Sequence, residues 1–223
     1  MSVVELRGVV AVLGRFPALA GLDLTVAAGE TVLVQGPNGA GKSTLLRLCA
    51  GLVVPTRGEA RVLGFDLVVE RHTVRRRVGL LGHATGLYDD LTVAENVTFW
   101  ARAAGLGRAA EARVNWALGR LGLDGPLADH AVRTVSAGQR RRASLAALAV
   151  RRPDLWLLDE PHAGLDQEGR DVVDDLIGEA VAAGATVIVS SHELDRVRRL
   201  SPRVVTLAGG TLVGDRLGVV RDA

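Results

Sequence analysis

Gly36-Pro37-Asn38-Gly39-Ala40-Gly41-Lys42-Ser43 is the stretch that decides the fold. It matches the spacing G-x-x-x-x-G-K-[ST] of a phosphate-binding loop. Its flanks fit the mechanism. Thr31–Gln35 before it is a short apolar run that reads as a buried strand, and Ser43–Ala50 after it reads as a helix. Glycines let the backbone wrap closely enough for N–H groups to face phosphate oxygens. The helix N-terminus adds positive potential. Gly36, Pro37, Asn38, Gly39, Ala40, Gly41, Lys42, Ser43 and Thr44 are the candidate nucleotide-binding residues. Lys42 is placed to reach the β- and γ-phosphates of ATP, and Ser43 to ligate Mg²⁺.

Composition makes this lysine conspicuous. The 223 residues contain 27 basic side chains, and Lys42 is the only lysine among them. A chain that otherwise uses Arg has kept a compact ammonium where Arg's planar fork would fit poorly among phosphates. The formal charge of +2 and the 3% aromatic content give no case for a nucleic-acid partner. A hydrophobic fraction of 48% suits a folded chain with a sizeable core. The single cysteine, Cys49, excludes an internal disulfide. No apolar run is long enough to span a bilayer, and Met1–Val10 lacks the pattern of a secretory leader.

Moving outward, Val3–Val12, Leu22–Val26 and Gly58–Leu63 read as strands of a β-rich first part, and Arg76–Leu81 as one more. Val93–Arg102, Ala109–Leu121 and Gln139–Val150 carry helical periodicity. Leu155–Leu158 is an apolar strand that ends on Asp159 and Glu160. Ligands of parallel α/β sheets sit at the carboxyl ends of strands. There Asp159 can hold Mg²⁺, and Glu160 can polarise a water for attack on a γ-phosphate. A helix over Glu168–Ala183, a strand over Thr186–Ser190 and a hairpin about Gly209-Gly210 complete the pattern. The expected fold is α/β: a P-loop NTPase core with an N-terminal antiparallel β part and a helical insertion.

A third signal lies at Ser136-Ala137-Gly138-Gln139, with Ser136 suited to an N-cap. Together these motifs resemble the nucleotide-binding subunit of ABC transporters over essentially the whole chain. The resemblance identifies Ser136–Gln139 as a signature of the LSGGQ type, acting on ATP held by a second copy. Ala163-Gly164-Leu165-Asp166 resembles the D-loop, and Ser190-Ser191-His192-Glu193 the switch-histidine loop. It implies catalytic roles for Glu160 and His192, ATP and Mg²⁺ as the bound groups, a homodimer formed on ATP, and integral membrane transporter subunits as partners. It also implies a peripheral place on the cytoplasmic face of the cell membrane. Residues 1–82 and 151–223 would form the core, and 83–150 the helical subdomain, of one ABC ATPase domain.

Two positions depart from the family pattern. His83 stands where a glutamine is normally found, and Leu13, with Phe16 nearby, stands where an aromatic usually stacks on adenine. Gly82-His83, Gly86 and Leu91–Asn96 resemble the branch that exports haem for cytochrome c maturation. Multidrug, lipid or polysaccharide exporters are the alternative, and a soluble ABC ATPase outside transport is a further one. The Arg runs Arg75–Arg77, Arg140–Arg142 and Arg196–Arg199 read most simply as solvated helix faces.

Overall fold

The glycine-rich loop joins β3 (Thr31–Gln35) to α1 (Lys42–Cys49), as its flanks require. The computed structural model describes residues 1–192, 196 and 202–216. Glu193 of the switch-loop motif and Arg198 and Arg199 of the third Arg run lie outside the described residues. The chain divides into two compact units. One comprises residues 1–80, 154–161 and 178–223, and the other 81–153 and 162–177. The second unit therefore takes in His162–Ile177 from beyond β7.

The first unit holds two sheets. β1 (Ser2–Leu13), β2 (Phe16–Ala27), β4 (Arg57–Val62) and β5 (Phe65–Asp66) form an antiparallel sheet in the order β2-β1-β4-β5. β2 begins six residues before the expected start at Leu22, because Leu13 and Phe16 close a tight hairpin. The second sheet runs β10-β9-β3-β8-β7-β6, with β6 (Val78–Leu81), β7 (Leu155–Asp159), β8 (Thr186–Ser190), β9 (Arg203–Ala208) and β10 (Thr211–Arg216). β7, β8, β3 and β9 are parallel, and β10 returns antiparallel on β9. Every residue of β7 and of β8 is buried, which explains their unbroken apolar runs.

The core of this unit unites both sheets with α1. Leu45, Leu46, Leu48 and Cys49 pack with Leu6, Leu22, Val34, Leu157 and Ile188. Burial pushes the Cys49 thiol up to about 12, so it stays a neutral apolar filler. α1 ends in a Schellman motif. Gly51, in the left-handed region at φ 68°, donates to Leu48 O, and Leu52 donates to Arg47 O. Arg76 and Arg77 belong to a helix, α2 (Arg71–Arg77), and not to the expected strand, which starts only at Val78.

The second unit contains α3 (Val93–Ala103), α4 (Ala110–Arg120), α5 (Ala137–Ala149) and the first part of α6 (Gln167–Ala182). α3, α4 and α5 pack on one another. Thr92 and Ser136 start α3 and α5 with capping boxes, closed by Glu95 and Gln139 three residues on. Among the described residues no helix is long and apolar enough to cross a membrane.

Candidate active site

The register of the parallel sheet assembles the first part of the site. Val34 of β3 pairs with Ser190 of β8, which pairs with Asp159 of β7. The carboxyl ends of the three strands thus lie side by side, and each continues into one of the candidate motifs. Close packing fixes the loop after β3. A Cβ on Gly36 would stand 2.2 Å from Leu207 O, and one on Gly41 would stand 2.6 Å from Ala18 O. Both glycines also have positive φ, so no other residue fits either position without moving backbone. Gly210 N donates to Ala40 O at 3.1 Å, while Gly210 O accepts from Ala20 N at 2.9 Å. The β9–β10 turn, which the sequence shows only as a hairpin, is therefore wedged between the loop and β2.

Lys42 is buried at 9% exposure, and its Nζ donates to Gly36 O at 2.7 Å and to Pro37 O at 3.1 Å. The ammonium is thus held inside the turn, on carbonyl dipoles. Leu45 N to Gly41 O is the first bond of α1, so the amides of Lys42, Ser43 and Thr44 precede the helical ladder. Such amides are the donors an anion finds at a helix start. Ser43 is exposed, and Thr44 is buried.

Asp159 is buried and accepts a hydrogen bond from Ser190 Oγ. Sequence reasoning quoted Ser190 within a motif but missed this support. The only signal was a hydroxyl ending an otherwise apolar strand. Glu160 sits at φ 49°, a left-handed conformation that costs a non-glycine residue roughly 1–2 kcal/mol. Two contacts hold it there. Its N–H donates to Ser190 O at 2.9 Å, and its carboxylate Oε2 accepts from His192 N at 3.1 Å. His192 Nε2 stands 3.4 Å from Glu160 Oε1, with the imidazole largely exposed. The first unit therefore brings together the glycine-rich loop, Asp159, Glu160 and His192.

The second unit carries His83, Ser136–Gln139 and Asp166. Ser136 Oγ accepts from Gln139 N at 3.2 Å, and Gln139 Oε1 accepts from Ser136 N at 2.8 Å. Gly138 lies so near the Gly164–Leu165 turn that a Cβ would stand 3.3 Å from Gly164 O. Asp166 Oδ1 accepts from Gly169 N at 2.8 Å. Buried His162 places Nε2 2.8 Å from Asp174 Oδ1 on α6. His83 is exposed.

The Arg runs are solvated faces only in part: Arg76 and Arg77 are exposed as expected, but several members are engaged with the chain. Arg75 donates to Gly51 O at 2.9 Å, and Arg77 pairs with Asp154 at 2.8 Å. Arg141 is buried, and Arg142 donates to Leu121 O. Carbonyls left open at helix ends and loops attract guanidinium donors, and an Arg run offers five N–H groups per residue.

A parallel sheet whose glycine-rich loop, buried carboxylate and adjacent Glu–His pair share one edge defines an α/β fold of the P-loop class. The comparisons with known proteins make the class narrower. A family model described as ABC transporter matches residues 19–163. The chain is 39% identical over 213 residues to the daunorubicin/doxorubicin resistance ATP-binding protein DrrA of Streptomyces peucetius, covering 95% of this chain and 64% of that one. It is 42% identical over 192 residues to the cytochrome c biogenesis ATP-binding export protein CcmA of Xanthomonas campestris pv. campestris, covering 86% and 87%. The structure of the ATP-binding cassette MJ0796, a dimer in a post-hydrolysis state bound to ADP and Pi, superposes with a TM-score of 0.88 at 26% identity, covering 99% and 100%. The chain belongs to the ABC transporter family. It spans only 64% of the length of the two daunorubicin-resistance relatives.

Proposed function

We propose that the chain binds and hydrolyses ATP as the engine of an ABC exporter, on the cytoplasmic face of a membrane, and that the exporter serves haem delivery in cytochrome c biogenesis. The observation that carries the ATPase reading is the Glu160–His192 pair beside the strand end that bears the glycine-rich loop. Glu160 is the general base: its carboxylate takes a proton as water oxygen bonds to the γ-phosphorus. The bond to the β–γ bridging oxygen breaks, leaving ADP and inorganic phosphate. His192, joined to Glu160 through both backbone and ring, holds that carboxylate and faces the γ-phosphate. Lys42 and the amides from Gly39 to Thr44 bind the phosphates. The hard oxygens of Ser43 and Asp159 suit Mg²⁺, which when bound neutralises phosphate charge. Ser136–Gln139 and Asp166 act on the nucleotide of a second copy, so ATP favours a homodimer and hydrolysis releases it. The exposed segment around His83 to Tyr88 receives a membrane subunit.

The haem reading is supported by motif and by the 42% identity over 192 residues to the Xanthomonas CcmA. Drug export is the second reading, favoured by the 95% of this chain that aligns with DrrA.

Glu160→Gln tests the engine. Nucleotide affinity should persist, turnover should fall by about 100-fold or more, and ATP should trap a dimer on size exclusion. Full turnover with no ATP-dependent dimer would overturn the role. Gene deletion tests the cargo: loss of haem-stained c-type cytochromes supports haem delivery, whereas intact cytochromes with new drug sensitivity replace it with the second reading.

A further inference from the structure

Three consecutive arginines follow the signature turn, and each grips backbone or a carboxylate elsewhere in its own unit. Arg140 Nη1 pairs with Asp89 Oδ1 at 2.7 Å, and its Nη2 donates to Val132 O at 3.0 Å. Arg141 Nη1 donates to Gly82 O at 2.7 Å. Arg142 Nη1 donates to Leu121 O at 2.9 Å, where α4 ends. Arg141 is the odd member, because it is only 8% exposed. Burying a guanidinium is costly unless strong hydrogen bonds offset it. Here one of its donors is committed to a loop carbonyl, so the fold uses a buried charge to fix a piece of backbone.

That piece is informative. Gly82 is bonded directly to His83, and Asp89 closes the same loop at its far end. Both ends of the segment from Gly82 to Asp89 are therefore held by residues one and two positions beyond Gln139. Within the loop, Asn96 fastens Tyr88 from the other side by accepting from its N–H and donating to its carbonyl. The signature turn is itself closed by the Ser136–Gln139 capping box. A guanidinium is a planar fork with little freedom once its donors are engaged, so it transmits position better than an ammonium would.

We infer that Arg141 is a positioning residue of the ATPase cycle. Through the Gly82 carbonyl it sets where His83 stands, and with the Arg140–Asp89 pair it makes the 82–89 loop and the 136–139 turn one mechanical piece. Displacement of the loop by a membrane subunit is thereby felt at the signature turn. The inference rests on the ATPase reading above.

The test is a double-mutant cycle on the full chain with Arg141→Met and His83→Ala, with Arg141→Lys as the conservative variant. Arg141→Met should leave MgATP affinity within about twofold, because Lys42 and its loop belong to the other unit, and should lower kcat about tenfold. Arg141→Lys, which retains a donor, should recover at least about a third of the wild-type kcat. The double variant should be no slower than the slower single variant by more than about twofold, the mark of two residues acting through one contact. Asp89→Asn, an exposed change that spares the fold, should lower kcat about threefold and also fail to add to Arg141→Lys. Unchanged kcat in Arg141→Met overturns the inference. So do losses that multiply in the double variant, and so does an Asp89→Asn protein with wild-type kcat if Arg141→Met does not fold. Failure of the underlying reading looks different, since it would show as wild type and Lys42→Ala binding MgATP equally.

Discussion

In the unit that carries Lys42, functional groups are held chiefly by main chain. Val34, Ser190 and Asp159 share a row of strand register, and Gly36 and Gly41 touch the backbone of β9 and β2. Lys42 itself rests on carbonyls of its own loop. In the unit that carries Ser136, side chains do the corresponding task. Arg140, Arg141 and Arg142 reach carbonyls and a carboxylate far away in sequence, and Asn96 secures the loop at Tyr88. Main-chain register is the more rigid of the two, because shifting it by one residue inverts every side chain. Side-chain ties can be exchanged one at a time. A phosphate cradle needs the first kind of support, and an element that must respond to a partner is better served by the second.

The largest expected effect falls on the cradle. Lys42→Ala should weaken MgATP binding by about 100-fold, since it would remove the charge-assisted contact to phosphate proposed above, which no other lysine can replace. Lys42→Arg should fail nearly as badly, although arginine serves everywhere else in this chain, because the turn that admits Nζ has carbonyls 2.7 and 3.1 Å away and no room for a planar fork. Titration with a fluorescent ATP analogue measures both. An arginine variant with wild-type affinity would break the idea that this loop is a fixed cradle.

Asn96 gives the corresponding probe of the other unit. It is fully buried, and besides its two bonds to Tyr88 it donates to Thr92 O at 2.9 Å. Asn96→Ala leaves these backbone groups without their partner, at a cost of about 2–4 kcal/mol. Hydrogen exchange should show the loss as faster exchange at Tyr88–Thr92, with the amides of β3 and β8 unchanged. Uniform acceleration across both units would mean that they do not differ in the way their supports suggest.

The same contrast explains what could be read from sequence. The glycine-rich loop, the Asp159-Glu160 strand end and the Ser136 cap were legible because each is a local pattern whose geometry follows from adjacent residues. The targets of Arg141 and Asn96 were not, because a hydrogen bond to a distant carbonyl leaves no periodic trace. The run Arg75–Arg77 was legible only in part, for a related reason. Its charges suggest a solvated face, and Arg76 and Arg77 are exposed, but nothing local shows that Arg75 reaches Gly51 O or that Arg77 joins Asp154 and lies 5.8 Å from the Phe65 ring. Glu160's left-handed backbone was also hidden, since nothing in Asp-Glu-Pro demands it; long-range bonds to Ser190 and His192 impose it.

The smallest effect concerns a strand pair of the first unit that is tied by a charge. Arg203 of β9 reaches Asp215 of β10 with two nitrogens, and it also meets Glu30 and Thr25 O. The Arg203 guanidinium holds the Asp215 carboxyl below its ordinary value of 3.8, and the same bonds push the guanidinium further up. A carboxylate with a depressed folded value stabilises the fold above its unfolded value, and that contribution is lost as pH falls through the folded one. Asp215→Asn should therefore lower stability at pH 7 by less than about 1 kcal/mol, since the carboxylate is more than a third exposed and screened. In acid, as pH falls through that depressed value, the difference from wild type should close, because the carboxyl is then protonated and uncharged. Urea unfolding at pH 7 and in acid measures this. A gap at pH 7 as large as that of Asn96→Ala would place side-chain ties on an equal footing with register in the first unit and erase the contrast between them.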